Sequence, residues 1–386
     1  MDFDYTPQQQ DLRDAVAKLG KRFGHEYFVR TAKAGEHSDE LWQEAAKLGY
    51  LGVSVPEQYD GGGGGITELA IVCEELAAAG TPLLLLVVSP AIAATIVAKH
   101  GTESQRQALL PGFAAGSLKV CFAITEPDAG SNFHKLTTVA KPFEGGYSLT
   151  GRKVYISGVD ESDKVMVVAR LEDERTGKLK PAIFVVPTNA PGLTATKIDM
   201  EIVSPENQFQ VYLDDVRVPA AALIGEDPEA GLPALFSGLN PERITVAAMA
   251  CGTARYALER ASAYTATRAV WGRPIGSHQG VAHPLAHAYI QVEMARLMVA
   301  KAAALYDAGR DLEAGVAANT AKYAAAEAAA LAVDTAIQSL GGNGMTTEYG
   351  VATLLGAVRA GRIAPVSREM ILNFVSQHLL GQEKSY

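Results

Sequence analysis

The sequence is poor in the features that mark cross-linked, metal-built or nucleotide-cradling scaffolds. Its 386 residues contain three cysteines, Cys73, Cys121 and Cys251, far apart and without a CxxC pair. Neither a disulfide framework nor a zinc knuckle is expected, and a reducing, cytoplasmic setting fits. Positive charge is in deficit: 34 Lys and Arg against 43 Asp and Glu leave a net charge of −9. That speaks against a broad nucleic-acid surface or a polybasic membrane anchor, while leaving room for one local basic pocket around a phosphorylated ligand. No GxGxxG lies between a strand and a helix, and there is no GxxxxGK[ST], GxSxG or HExxH. Rossmann and P-loop cradles, a nucleophile elbow and a zincin site are thereby excluded. His283 and His287 can share a helix face, with His278 nearby, but no carboxylate or cysteine completes a ligand set and no metal is expected. Pro284 reads instead as a helix start. The acidic opening Met1-Asp2-Phe3-Asp4-Tyr5 has no apolar region after a basic start, so no signal peptide is expected. Only Thr81–Ala98 approaches the length of a membrane span. Pro82, Ser89, Pro90 and Thr95 interrupt it, so it reads as two short buried helices parted at Pro90.

What is present is an ordinary soluble composition, 48% apolar and 20% charged, in a chain too long for one core. Up to about residue 119 the apolar period is helical, over Gln8–Phe23, Leu41–Leu48 and Ile66–Ala79. A loop of Asp60 and five glycines, Gly61 to Gly65, precedes the last of these. From Val120 the pattern turns to strands. Val120–Thr125 is one; Gly145-Gly146 marks a hairpin; Val165–Leu171 and Ala182–Val186 flank a charged loop; Gln208–Val218 alternates up to Pro219. From Gly231 helices return, rich in alanine, over Leu239–Thr267, His283–Ala308 and Val316–Leu340. The expected class is α+β with three domains, 1–119, 120–230 and 231–386.

Four motifs then appear in a fixed order. Phe122 to Asn132 reads FAITEPDAGSN; Val154-Tyr155-Ile156-Ser157 follows; Arg268-Ala269-Val270-Trp271-Gly272 precedes Ile275 and Gln279; Gln338-Ser339-Leu340-Gly341-Gly342-Asn343-Gly344 closes the set. Together, and over essentially the whole chain, they resemble the acyl-CoA dehydrogenase family. The resemblance implies an N-terminal helical domain, a middle β-barrel domain and a C-terminal four-helix bundle, with FAD as cofactor. It implies flavin contacts at Phe122, Ile124, Thr125, Ser131, Tyr155, Ile156 and Ser157. Tyr155 stands where the family usually has Trp, and Ser157 where it has Thr. Pyrophosphate contacts are implied at Arg268, Gln279, Gln338, Gly341 and Gly342, largely across a subunit interface in a homotetramer, with Trp271 and Ser367 also near the cofactor. Gly341-Gly342 reads equally as a helix C-cap after Leu340.

Oxidation of an acyl-CoA between C2 and C3 needs a carboxylate to take the α-proton while the β-hydride leaves for the flavin. Most members of the family carry it in a C-terminal Glu-Gly-Thr segment. Here the matching stretch, Arg362 to Met370, puts Pro365 at that place. A second solution in the family, on a helix in a segment like L-x-x-E-R, matches Leu239-Asn240-Pro241-Glu242-Arg243. The resemblance thus implies Glu242 as base, with Ser131, Asn240 and Arg243 toward the CoA thioester and Asn240 in place of a common aspartate. The same residues also spell an ordinary helix start, with Asn240 as N-cap, Pro241 first and Glu242 in the first turn. The function implied is formation of a trans-2-enoyl-CoA in fatty-acid metabolism, with an electron-transferring flavoprotein as acceptor. Alternatives are an oxidase or flavin monooxygenase of the same fold, or an inactive partner subunit. Acyl chain length and branching are not readable.

Overall fold

The computed structural model describes residues 4–172, 177, 179–227 and 231–384. The charged loop expected between Leu171 and Ala182 falls partly outside these residues, at 173–176 and 178, as does the start of the chain. Helix α1, Pro7–Ala34, opens on Thr6, whose hydroxyl accepts from Gln9 N at 3.2 Å while the Gln9 side chain accepts from Thr6 N at 3.1 Å. This reciprocal cap satisfies two donors that a helix start otherwise leaves open. The helix outruns the expected Gln8–Phe23 by bending at Gly24, where φ is 71°. Helices α2 (Asp39–Lys47) and α3 (Ile66–Ala78) follow. The glycine run before α3 has a packing reason at Gly65, where a Cβ would lie within 2.5 Å of the Asp307 carboxylate. That carboxylate accepts from Ile66 N, Thr67 N and Thr67 Oγ1 at 2.7, 2.9 and 2.6 Å, capping α3 from the far end of the chain.

The reading of Thr81–Ala98 as two helices parted at Pro90 is corrected. Helix α4 (Leu84–Leu86), a π-helical stretch Val87–Ala94 and helix α5 (Thr95–His100) run on without a break. The wider π ring absorbs the N–H that Pro90 lacks and relieves the clash that would break an α-helix there. The whole of Val87–Ala94 is buried, and among the described residues no helix is long and apolar enough to cross a membrane. Helix α6 (Glu103–Ala114) leads into the sheet.

Seven strands build the middle domain: β1 (Val120–Ala123), β2 (Val139–Phe143), β3 (Gly146–Ser157), β4 (Lys164–Glu172), β5 (Leu179–Pro187), β6 (Leu193–Ile198) and β7 (Gln208–Pro219). β4 lies parallel to β1 and to the start of β2, and antiparallel to β5; β3 joins β2 to β7, which carries β6. With β5 and β6 outermost the sheet is an open half-barrel. The hairpin expected at Gly145-Gly146 forms, pairing Phe143 with Gly146. The β3–β7 ladder slips between Lys153 and Ile156. This bulge frees Val154 and Tyr155 from β7, and Val154 N donates to Thr125 O at 2.9 Å instead, a use of bulges to re-aim side chains.

Three long helices make most of the C-terminal domain: α7 (Gly231–Thr267), α8 (Gln279–Asp307) and α9 (Asp311–Leu340). A short hairpin of β8 (Ala269–Val270) and β9 (Arg273–Pro274) links the first two, and α10 (Leu355–Ala360) and α11 (Arg368–Phe374) follow α9. Alanine dominates the buried faces, with Ala314, Ala318, Ala321, Ala325, Ala329, Ala332 and Ala336 along α9 alone. Such small side chains favour helix and let the axes approach closely. Two helix starts are corrected. α7 begins at Gly231, not at Asn240, because Ala234 and Leu235 are buried and extend its packed face. Pro241 then sits inside the helix, and the Ser237 carbonyl it cannot serve is taken by Tyr306 Oη at 2.8 Å. α8 likewise begins at Gln279, one turn before Pro284. Only one ladder bond is forfeited so close to a helix start. α9 ends where expected, with Gly341 at φ 59°.

Candidate active site

The first group of site residues lies on the middle domain. Phe122 ends its side chain in the core, and Ile124 and Thr125 leave β1 half-buried. A cleft of about 390 Å³ opens beside them, lined among others by Thr125, Glu126, Val154 and Tyr155. Tyr155 is 60% exposed and held at φ 58°, a conformation that bulky L-residues adopt only where surroundings enforce it. Here the β3 bulge enforces it and presents a flat aromatic face to the cleft. Ile156 is buried behind that face, and the Ser157 hydroxyl lies within hydrogen-bonding distance of the Gln208 amide, 2.9 Å from Nε2. Ser131 is exposed on the loop after β1.

The second group lies at the far end of the C-terminal domain. Arg268, Trp271 and Gln279 are exposed around the β8–β9 hairpin, with Trp271 90% accessible. Gln338, Gly341 and Gly342 are exposed at the end of α9. Asn343 Nδ2 donates to Tyr264 Oη at 3.0 Å and draws the two helix ends together. A Cβ at Gly341 or Gly342 would meet nothing within 4 Å. Packing within the chain therefore does not demand glycine at 342, and the bare backbone is open to a ligand.

The third group surrounds Glu242, which points from the middle of α7 and keeps part of its surface exposed. Lying eleven residues inside the helix, it cannot draw on the dipole of the helix start. Burial pushes its carboxyl up to about 7, against the opposing pull of Arg243 and Lys322. Arg243 is itself buried and donates through Nη1 to Asn240 Oδ1 at 3.0 Å; its Nε has no protein partner among the described residues. Desolvation lowers the Arg243 pKa. Across from α7, Lys322 of α9 is 1% exposed and its ammonium donates to the Val366 carbonyl. Glu327, one turn further along, pairs with Arg362 at 2.7 Å and Arg368 at 3.4 Å. Helix α9 thereby clamps the segment carrying Pro365, the place where a C-terminal glutamate was sought. Ser367 caps α11, accepting from Met370 N at 3.2 Å.

Lys322 is the residue that sequence reasoning missed here. Its signal was a lone lysine among the alanines of α9. Lys153 and Glu126 were missed too: a lysine on an inward strand position beside a motif glutamate. His283 and His287 are exposed, and among the described residues no cluster is disposed to hold a metal.

Comparison with known proteins places these features in a wider setting. Residues 6–117, 121–216 and 229–380 match the family models "Acyl-CoA dehydrogenase, N-terminal domain", "middle domain" and "C-terminal domain" in that order. The acyl-CoA dehydrogenase FadE12 of Mycobacterium tuberculosis is 58% identical over 384 residues, covering 100% of this chain and 99% of its own. The butyryl-CoA dehydrogenase structure from Megasphaera elsdenii superposes with a TM-score of 0.92 at 29% identity, covering 98% of this chain and 100% of that one. A glutaryl-CoA dehydrogenase from Mycobacterium smegmatis, in complex with FADH2, superposes with a TM-score of 0.89 at 26% identity, covering 99% and 96%.

Proposed function

The chain belongs to the acyl-CoA dehydrogenase family as an FAD-dependent enzyme acting on acyl-CoA, and on that footing we propose that Glu242 is the base that starts its reaction. FAD, when bound, supplies the acceptor for the β-hydride. The residues present fit that cofactor: an open cleft walled by Thr125 and the outward Tyr155 on one domain, and exposed Arg268, Gln279, Gln338 and an unobstructed Gly341-Gly342 backbone on another. In this reading Ile124 and Thr125 meet the pyrimidine edge, Tyr155 packs on the ring, Ile156 backs it, and the Ser157 hydroxyl lies toward N5. Ser131, Asn240 and Arg243 face the thioester.

Glu242 takes the α-proton on its carboxylate. Arg243 and Lys322 favour the charged form it needs, while burial opposes it. The observation that carries the assignment is the contrast between the two candidate places. One holds a partly buried carboxyl poised near neutrality; the other holds Pro365, in a loop tied to α9 by Lys322 and Glu327. The test is anaerobic bleaching of the flavin by acyl-CoA thioesters in Glu242→Gln and Glu369→Gln. Loss in the first alone is expected, and loss in the second alone would move the base to the C-terminal loop.

The assembly is read as a homotetramer. Ile290, Met294 and Leu297 make an exposed apolar stripe at helical spacing along α8, and Trp271 before α8 is exposed too; a second copy covering the stripe suits a pyrophosphate site completed across an interface. An electron-transferring flavoprotein is read as the acceptor and the cytoplasm as the location, the three buried, unpaired cysteines suiting a reducing compartment.

A further inference from the structure

We propose that Lys153 and Glu126 each pull the reduction potential of the flavin in opposite directions and, as a buried ion pair, hold those pulls in balance while fixing the segment that the flavin's pyrimidine edge meets. The inference rests on the reading above that this edge lies against Ile124 and Thr125. Lys153 lies on β3 with its side chain fully buried, and Glu126 is 2% exposed. The ammonium donates to Glu126 Oε1 at 2.9 Å and to the Ile124 carbonyl at 3.0 Å. The carboxylate also accepts from Thr137 N at 2.6 Å, Thr137 Oγ1 at 2.7 Å and Thr138 N at 2.9 Å. Between these two anchored residues, the Thr125 carbonyl takes Val154 N from the β3 bulge. The backbone on both sides of Thr125 is therefore held by one charged pair and one bulge bond.

The pair is ionised at neutral pH. Burial acts against the Glu126 charge, but Lys153 and the threonine donors together hold its carboxyl down at about 2. Burial also lowers Lys153, to about 8, with Glu126 opposing. A buried ion pair is a poor stabiliser, since apolar side chains of similar volume often do as well or better. A pair placed here has a second consequence. Two opposite charges sit in a low-dielectric wall beside the cleft, where each acts over a longer range than in water. Together their fields largely cancel at a distance. Removal of one leaves the other uncompensated next to a ring on which reduction places negative charge, and charge near that ring tunes its potential.

This gives the two partners effects of opposite sign, which a purely structural role does not. The experiment uses holoprotein and follows the flavin spectrum against a reference dye under slow reduction. Glu126→Gln keeps the shape and one of the two acceptor oxygens and, read at mildly acidic pH so that Lys153 keeps its proton without the Glu126 pull, is expected to raise the potential. Lys153→Met removes the positive charge while the Thr137 and Thr138 donors still favour the Glu126 carboxylate, and is expected to lower it. Each is expected to change the ratio of reduced to oxidised flavin at a fixed dye potential by on the order of tenfold. The double variant is expected to return close to the parent value. Shifts in the same direction, or none, overturn the inference. If Lys153→Met does not fold, Glu126→Gln decides alone: a rise supports the inference, and an unchanged or lowered potential overturns it. Thr125→Val tests the premise through FAD affinity and the flavin spectrum. If neither responds, the flavin edge lies elsewhere and the premise fails with the inference. If they respond while the pair variants leave the potential unmoved, the inference fails alone.

Discussion

Replacement of Glu242 by glutamine, read across pH, separates a catalytic carboxylate from a helix residue of no special role. With its carboxyl raised from 4.5 to about 7, half of the free enzyme carries the base at pH 7 and about one part in a hundred does at pH 5. The second-order rate constant for flavin reduction at low thioester concentration reports the free enzyme. It should therefore fall by about 50-fold over those two pH units. A carboxyl at its ordinary value would lose only about 1.3-fold over the same span. In Glu242→Gln the rate is expected to drop by on the order of 10²–10⁴, with FAD content and thioester binding kept, because the carboxylate acts chiefly in the transition state. Stability carries a matching signature. A carboxyl whose folded pKa is raised contributes stability below its unfolded pKa, and that contribution is lost as pH rises from 4.5 through 7. Glu242→Gln should remove this slope and be no less stable than the parent above pH 7. The assay is anaerobic stopped-flow bleaching with thermal melts on the same preparations. A flat pH profile in the parent, or parental bleaching rates in the variant, would refute the assignment.

Lys322→Met removes a cation that favours the Glu242 carboxylate, so the midpoint of the same pH profile should move to higher pH; an unmoved or lowered midpoint would show that Lys322 serves the loop alone. Ile290→Asp with Leu297→Asp on α8 is expected to break the assembly and weaken FAD retention with it, and light scattering that still reports the parent mass would count against that face. His25 is buried, with its ring nitrogens 2.8 Å from the Gly80 carbonyl and from Thr353 Oγ1, and burial lowers its pKa below 6.5. Its neutral form therefore contributes stability above pH 6.5 that is lost as pH falls through the lowered value. His25→Ala should cost about 1–3 kcal/mol at neutral pH and flatten that acid limb, whereas an unchanged melting profile would mean that the junction holds without it.

The order of the three regions, the strands from Val120 to Pro219 other than β6 (Leu193–Ile198), the hairpin at Gly145 and the stop of α9 at Gly341 were legible in the sequence. Each rests on a short-range rule: apolar period, turn chemistry, or the conformational freedom of glycine. The motifs that carry the family resemblance were legible for a related reason, since they are particular residue types at fixed spacing. Three prolines were misread, each for its own reason. At Pro241 the Tyr306 hydroxyl serves the carbonyl that the helix cannot; at Pro90 the buried segment widens to a π ring; at Pro284 only the helix start is affected. Glu242 itself could be picked out, but not its state. Its charge depends on how deeply α7 is covered and on Lys322, eighty residues away on α9. Lys153 and Glu126 were likewise visible only as one lysine and one acid until β3 laid one over the other. Local pattern encodes which elements form, because their hydrogen bonds close within a few residues. The energy of a buried charge depends on what surrounds it in space, and only the tertiary structure decides that.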